Sequence, residues 1–171
     1  MSVPGSTPTH TAYIGLGSNL DNPQKHVCDA INDIGKCKTI SLIQASSLYE
    51  SDPMGTIEQP VYINAVVKIE TQLTPLQLLD SMQGIEQLHG RERGDERWSA
   101  RTLDLDILLY DTLQLKNTRL TIPHYGLHER NFVLLPLKEI AGRGLEIPCQ
   151  GNINTLLEKC PSAGIKRLEQ C

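Results

Sequence analysis

The sequence predicts an α+β sandwich, in which helices pack against a mainly antiparallel sheet. Two observations support this fold class. Segments with strand and helix patterns follow one another in the order strand, helix, strand, strand, helix, with further elements after them. In addition, the 171 residues contain no internal repeat and no linker that would mark a second domain. We expect residues 1–10, rich in Pro, Ser, Thr and Gly, to form a disordered tail, and residues 11–171 to form one domain.

The first strand is the apolar stretch TAYIGLG, which ends in glycines. The glycines suggest a dinucleotide-binding fingerprint, but Leu20 stands where the third glycine would be, so we interpret GLGSN as a tight strand-to-helix turn. In the next helix, Asn22 is the predicted cap and Pro23 the first residue, and Gly35 is expected to end it. Apolar residues recur there with helical spacing at Val27, Ala30, Ile31 and Ile34.

Two strands are predicted next, over residues 39–50 and 61–71, and the segment 51–60 between them is too long for a tight turn. Loops of this kind in small domains are often functional. A capping box, TPLQ at 74–77, predicts a helix that runs to about His89. Further on, RTLDLDILLY and RLTIPHYG are predicted strands, while NFVLLPLKEIA and NINTLLEKC are predicted helices. Pro136 should kink or shorten the first of these helices.

Composition argues against several classes of protein. The formal net charge of −4 does not suit a general nucleic-acid binder, although a local basic cluster could hold a phosphate. No apolar run approaches the ~20 residues that cross a bilayer, and residues 1–17 do not resemble a signal peptide. The five cysteines form no C-x-x-C pair, so we expect all of them to be free thiols in a reducing cytoplasm.

The stretch RTLDLDILLY carries the first candidate site. In a strand, Asp104 and Asp106 share one face, with Thr102, Leu108 and Tyr110, while Leu103, Leu105, Ile107 and Leu109 face the core. A rise of ~3.3 Å per residue separates the two aspartates by about 6–7 Å along the backbone. They could hold one or two magnesium ions, which prefer oxygen ligands. The spacing alone is equally consistent with two acids that simply face solvent.

The segment before this strand favours a phosphate site over a solvent-exposed face. Arg91, Arg93, Arg97 and Arg101 fall just before the aspartates, and guanidinium groups bind phosphate oxygens in a bidentate manner. Arginines beside a paired-carboxylate metal site suit the transfer of a polyphosphate group. The alternative is an exposed loop whose arginines pair with its own acidic residues.

Four blocks of the sequence resemble a known family in order and spacing. AYIGLGSNL, SLYESDPMGTIEQPVYINAVVKIET, GRERGDERWSARTLDLDILLY and LTIPHYGLHERNFVLLPL are similar to blocks of the 6-hydroxymethyl-7,8-dihydropterin pyrophosphokinases of folate biosynthesis, over residues 11–145. The resemblance implies a ferredoxin-like α/β sandwich, usually monomeric, that transfers the terminal diphosphate of ATP to the hydroxymethyl group of the pterin and releases AMP. It also implies two bridging Mg²⁺ ions and small-molecule substrates. From the cysteines, the net charge and the lack of a long apolar run, we expect a cytoplasmic location and no nucleic-acid or membrane partner.

The same resemblance assigns expected roles to individual residues. Asp104 and Asp106 would be the metal ligands and, with Arg91 and Arg101 as phosphate clamps, the catalytic set. The residues expected at the nucleotide site are Gln83, Glu86, Arg91, Arg93, Trp98, Arg101, Ile107, Arg119, Thr121, His124, Tyr125 and Arg130. Those expected at the pterin pocket are Ser51, Asp52, Met54, Tyr62, Asn64 and Phe132. The pterin ring would stack between Tyr62 and Phe132, and Asn64 would offer it both a donor and an acceptor.

The sequence departs from the family pattern at Gly94, at Ser99–Ala100 and at Asp52, and the resemblance assigns no role to residues 161–171. The same residues argue against two other functions. An RNA-binding ferredoxin-like module would need stacking aromatics on neighbouring strands, but Phe132 is the only phenylalanine and no motif of that kind is visible. Another metal-dependent nucleotidyl transferase would explain the two aspartates but not Tyr62, Asn64 and Phe132.

Overall fold

A computed structural model describes residues 5–53, 55, 58–90, 102–142, 144–160 and 163–171. The helices in these ranges are α1 (Pro23–Lys36), α2 (Pro75–Leu88), α3 (Asn131–Ala141) and α4 (Ile153–Lys159), with a 3-10 turn at Leu127–Glu129. The strands are β1 (His10–Ser18), β2 (Ile40–Ala45), β3 (Tyr49–Ser51), β4 (Tyr62–Thr71), β5 (Asp104–Tyr110), β6 (Leu115–Lys116), β7 (Thr121–Ile122), β8 (Glu146–Ile147), β9 (Gly151–Asn152) and β10 (Ile165–Arg167).

The main sheet has six strands, and every pairing in it is antiparallel. Strands β10, β3, β4, β1 and β5 lie side by side in that order, and β2 pairs with β4. Strands β6 and β7 form a small ribbon, and so do β8 and β9. The predicted α+β architecture, a mainly antiparallel sheet with helices packed on it, is therefore confirmed.

The sheet separates two apolar cores. On one face, alternate residues of β4 (Ile63, Ala65, Val67 and Ile69) pack with the apolar sides of α1 and α2. On the other face, Val66 of β4 packs with α3 and α4. This alternation is the two-residue period of a strand buried on both sides. Helices α3 and α4 cover part of this second face. The candidate site lies on the same face of the sheet, over β1, β4 and β5.

The beginning of α2 agrees with the sequence, whereas the beginning of α1 differs. The Thr74 hydroxyl accepts the Gln77 amide and the Gln77 side chain accepts the Thr74 amide, so the capping box is present. In α1, Asn22 has a left-handed backbone and makes no side-chain cap bond. The interpretation of GLGSN as a turn was wrong, because β1 continues to Ser18 and the reversal occurs at Asp21 and Asn22, with φ of 54° and 65°.

Two other predictions about strands need correction. The predicted strand over residues 39–50 is divided into β2, which pairs with one part of β4, and β3, which pairs with another. In β5, the register with β1 shifts between Tyr13 and Ile14. Beyond this bulge, each β5 side chain points to the face of the sheet opposite to the one that simple alternation predicts. Leu109 therefore packs in the α3–α4 core and Tyr110 in the α1–α2 core, the reverse of the sequence prediction.

The prediction of five free thiols was also wrong. Cys28 of α1 forms a disulfide with Cys171, with the Cα atoms 5.5 Å apart, although the two residues are 143 positions apart in sequence. Strand β10 brings the C-terminal residues back beside α1, a long-range contact that cysteine spacing does not reveal. Cys37, Cys149 and Cys160 are free thiols. None of the described helices is long and apolar enough to cross a membrane.

Candidate active site

The floor of the site is made by two glycines of β1 that lie opposite the two aspartates of β5. In the antiparallel register, Gly15 pairs with Asp106 and Gly17 with Asp104. A Cβ atom added at Gly17 would lie 3.5 Å from Asn64 Oδ1 and 3.9 Å from Tyr62 Cδ1. A Cβ atom added at Gly15 would instead lie 3.2 Å from the Leu108 side chain. The missing side chain of Gly17 therefore leaves room between Asp104 and β4, whereas the space above Gly15 is taken by Leu108. Sequence reasoning missed this role, although alternate glycines within a strand signal a close approach to that face.

Asp104 and Asp106 project from the same face of β5 into this space, and both are partly exposed. Two carboxylates on one face suit a hard cation that keeps waters as its remaining ligands. Among the described residues, no group of three His, Cys, Asp or Glu side chains converges on one position. The donor set therefore fits Mg²⁺, which accepts one or two carboxylates plus phosphate oxygens, better than it fits a site made entirely by protein ligands.

The first cavity lies over the glycine floor and has a volume of about 280 Å³, slightly below the ~300–1,000 Å³ that is usual for ligand sites. Both aspartates line it. All of the described residues expected at the pterin pocket line it as well, namely Ser51, Asp52, Tyr62, Asn64 and Phe132. The structure thus brings together side chains from β3, β4, β5 and α3.

Asn64 is held in one orientation at the end of this cavity. Its amide Nδ2 donates to the Tyr49 carbonyl at 3.1 Å and to the Ser51 hydroxyl at 2.8 Å, and the residue is 5% exposed. Both amide hydrogens are therefore used, and Oδ1 is the group directed toward the space above Gly17. We expected Asn64 to offer both a donor and an acceptor to a ligand, but in this arrangement it offers only the acceptor.

The second cavity, of about 470 Å³, lies on the other side of Asp106, between α2, β5 and the β6–β7 ribbon. Seven residues that the family resemblance assigns to the nucleotide site line it: Gln83, Glu86, Ile107, Arg119, Thr121, His124 and Tyr125. Arg130 lines the first cavity instead. Asp106, His124 and Tyr125 line both cavities. Sequence reasoning missed Asn117, Thr118 and Leu120, which also line the second cavity.

His124 is mostly buried at the boundary between the two cavities. Its Nδ1 accepts the Gly126 amide at 3.1 Å, so a neutral ring carries its proton on Nε2. Burial lowers the pKa of His124, and the nearby Arg130 lowers it further, while the Asp106 carboxylate opposes the shift. Nε2 lies 3.9 Å from Asp106 Oδ2, too far for a hydrogen bond. His124 therefore presents an N–H donor toward Asp106.

Glu86 supports the backbone between the two aspartates. Its Oε1 accepts the amide of Leu105 at 2.8 Å, and Glu86 is only 5% exposed. Strand β5 is at the edge of the sheet, so an outward amide there needs a partner other than a strand. A buried carboxylate supplies that partner, and it thereby fixes the segment from which Asp104 and Asp106 project.

Two arginines lie at the margins of the cavities. The Arg119 guanidinium pairs with the Asp80 carboxylate at 2.6 Å, and both side chains are about half exposed. The Arg130 guanidinium carbon lies 5.5 Å from the centre of the Tyr125 ring, which stacks on His124 with centroids 4.5 Å apart. The other predicted cationic and aromatic members, Arg91, Arg93, Trp98 and Arg101, lie outside the described residues, as do Met54, Gly94 and Ser99–Ala100.

Comparison with known proteins shows the family to which this chain belongs. The family model for 7,8-dihydro-6-hydroxymethylpterin-pyrophosphokinase (HPPK) matches residues 13–142. The 2-amino-4-hydroxy-6-hydroxymethyldihydropteridine pyrophosphokinase of Haemophilus influenzae is 53% identical over 131 residues, 77% of this chain and 81% of the relative. The enzyme of the same name from Pseudomonas aeruginosa is 44% identical over 156 residues, 91% of this chain and 95% of the relative.

Solved structures show the same fold. The wild-type HPPK-DHPS of Plasmodium falciparum with pteroate superimposes with a TM-score of 0.67 at 16% identity, over 92% of this chain. That chain is longer, and the match covers 43% of it. The fold, together with the family model and the two bacterial relatives, leads to one conclusion: this chain belongs to the HPPK family, the pyrophosphokinases (EC 2.7.6.3) of folate biosynthesis.

Proposed function

We propose that the first cavity binds 6-hydroxymethyl-7,8-dihydropterin and that the second binds ATP, so that diphosphate transfer occurs where the two cavities meet. The observation that carries this assignment is their shared wall of Asp106, His124 and Tyr125. A cavity that contains the aromatic side chains of Tyr62 and Phe132 and a fixed carbonyl acceptor suits a flat ring with N–H donors on its edge. Positioning two substrates against each other supplies much of the acceleration in phosphoryl transfer.

Each side of the site has a distinct task in this proposal. Tyr62 and Phe132 stack on the pterin ring, and Asn64 Oδ1 accepts a hydrogen bond from its edge. The hydroxymethyl oxygen then forms a bond to the β-phosphorus, the bond from that phosphorus to the oxygen of the α-phosphate breaks, and AMP leaves while the hydroxyl proton is released. Arg91 and Arg101 are proposed to hold the phosphates, since guanidinium groups remain charged and bind phosphate oxygens in pairs.

Asp104 and Asp106 are proposed to hold two Mg²⁺ ions, and the metal, when bound, neutralises the charge that spreads over the phosphates. His124 stays neutral near pH 7 because burial lowers its pKa, so its Nε2–H can donate to an oxygen at the boundary of the cavities. With Nδ1 already accepting the Gly126 amide, His124 has no free lone pair with which to accept the substrate proton. The proton therefore leaves without this ring as a general base.

The test is an assay with ATP, magnesium and 6-hydroxymethyl-7,8-dihydropterin. The proposal expects AMP and the pterin diphosphate in equal amounts, and no turnover without the pterin. Release of ADP, or hydrolysis of ATP at a rate that does not depend on the pterin, would disprove the proposal. Omission of the metal, with and without chelator, tests the magnesium dependence separately.

We also propose that the protein acts as a monomer in the cytoplasm, without a nucleic-acid or membrane partner. This proposal is supported by the resemblance to a family that is usually monomeric, and by the formal net charge of −4, which does not suit a general nucleic-acid binder. Light scattering at the concentration of the assay tests the oligomeric state, and cell fractionation tests the location.

A further inference from the structure

Residues 163–171, here called the C-terminal segment, lie outside the family match and yet contact the first cavity's wall. Strand β10 of this segment pairs with β3, with Ile165 opposite Ser51 and Arg167 opposite Tyr49. The contact continues beyond the strands. The Asp52 amide donates to the Gly164 carbonyl at 3.3 Å, and the Leu168 amide donates to the Leu48 carbonyl at 2.7 Å. The whole of β3 is thus enclosed between β4 and the segment.

The residues of β3 that the segment covers are those that orient Asn64. The Tyr49 carbonyl and the Ser51 hydroxyl accept the two hydrogen bonds of the Asn64 amide. Ser51 and Asp52 also line the first cavity. A shift of β3 would therefore turn the carbonyl of Asn64 and move one wall of the cavity.

The segment is also connected to α3, the helix that carries Phe132. The Arg167 guanidinium pairs with Glu139 of α3 at 2.9 Å and donates to the Ser47 hydroxyl. Glu139 additionally accepts the Ser47 amide at 2.6 Å. Both elements that form the pterin-binding wall, β3 and α3, are in this way linked through one arginine of the segment.

The segment buries little apolar surface of its own. Every residue from 163 to 171 is exposed or only partly buried, and of these Leu168 packs against the main core. Segments with few buried apolar contacts open locally at low free-energy cost. The covalent bond between Cys171 and Cys28 of α1 is the strongest restraint on such opening.

We propose that the C-terminal segment is a positioning element of the pterin pocket, and that the Cys28–Cys171 disulfide holds it in place, so that reduction of this bond weakens pterin binding without changing nucleotide binding. The inference rests on the proposed function, because it assigns the first cavity to the pterin. Disulfides in reducing compartments are rare and often redox-sensing, which suits a bond that forms and breaks.

The redox step is a thiol–disulfide exchange. The two thiols give up two electrons and two protons to a small-molecule disulfide such as oxidised glutathione, which becomes two thiols, and the protein sulfurs join. Reduction is the reverse reaction. The second cavity should not respond, since it is built from α2, β5 and the β6–β7 ribbon, and none of the residues that line it belongs to β3 or β10.

The expected size of the effect follows from the fraction of molecules in which the C-terminal segment is docked. If release of the bond lowers the docked fraction of the segment to between about a tenth and a third, the apparent pterin Kd and KM rise about 3- to 10-fold. The full chain is measured after equilibration with oxidised glutathione and again after reduction, with KM for each substrate determined in both states. Hydrogen exchange at the amides of Asp52 and Leu168 reports docking independently of activity.

Two variants complete the experiment. Cys171→Ser should behave as the reduced protein in both conditions. Cys149→Ser removes an exposed thiol outside the bond and should keep the redox response. The proposal is supported if reduction raises the pterin KM alone and speeds exchange at both amides. It is overturned if the pterin KM is the same in both states, if the ATP KM rises equally, or if thiol counting finds five free thiols after oxidation. A lack of any pterin-dependent AMP release would instead refute the proposed function.

Discussion

Substitution of Gly17 by alanine should weaken pterin binding while it increases the stability of the fold. Gly17 lies in β1 with an ordinary strand conformation, and the new methyl group would be 3.5 Å from Asn64 Oδ1, a normal van der Waals distance. The fold can therefore accept the change, and alanine should increase stability by about 0.5–1 kcal/mol because glycine loses more backbone entropy on folding. A ligand donor bound to Asn64 Oδ1 at ~2.9 Å needs the space that the methyl group would occupy.

Loss of that hydrogen bond leaves a buried acceptor without a partner, at a cost of about 1–3 kcal/mol. The corresponding increase in the pterin Kd is about 5- to 150-fold, while the ATP Kd should not change. The measurements are pterin binding, AMP release and thermal unfolding. Gly84→Ala is the matched control, since Gly84 lies on the exposed side of α2 with no atom within 4 Å of an added Cβ. Normal pterin affinity in a folded Gly17→Ala protein would show that the pterin does not bind over the β1 floor.

Three further predictions concern other parts of the site and its support. Asp106→Asn should reduce AMP release by about 10²-fold or more without loss of stability. A normal rate of this variant in magnesium titrations would show that Asp106 is not a metal ligand. Glu86→Ala should lower the free energy of unfolding by about 1–3 kcal/mol in denaturant titrations, because the Leu105 amide loses its acceptor, and Glu86→Gln should lower it less. Burial and the neighbouring Glu139 raise the pKa of Tyr49 to about 12, so the folded protein retains a proton that the unfolded chain releases above pH ~10. The stability advantage over Tyr49→Phe should therefore diminish between pH 10 and 12, and a constant difference in Tm would contradict this.

Features set by local chemistry could be predicted from the sequence. The capping box at 74–77, the alternation along β4 and the common face of Asp104 and Asp106 depend on residues a few positions apart. These patterns are sufficient for the fold class and for the central strand of the site. The family resemblance added the residues that the structure places around the two cavities.

Features set by long-range pairing could not be predicted in the same way. The bulge opposite Tyr13 and Ile14 exchanges the faces of Leu109 and Tyr110, and it exists only when β1 and β5 pair. The orientation of the Asn64 amide depends on β3, which is 13–15 residues earlier in the chain. The disulfide depends on the return of β10 to the sheet. Each of these is decided by the partner strand rather than by the local sequence.

The division of the sheet into two faces has a consequence for how the substrate preference of such an enzyme can evolve. Most of the apolar packing is on the face of α1 and α2, whereas Gly17, Asp104 and Asp106 lie on the opposite face over a cavity. Away from the α3–α4 core, substitutions at the polar positions that line this cavity remove few core contacts, so they should alter substrate preference at little cost in folding. Selection can therefore explore new ligands on one side of the sheet while the other side preserves the fold.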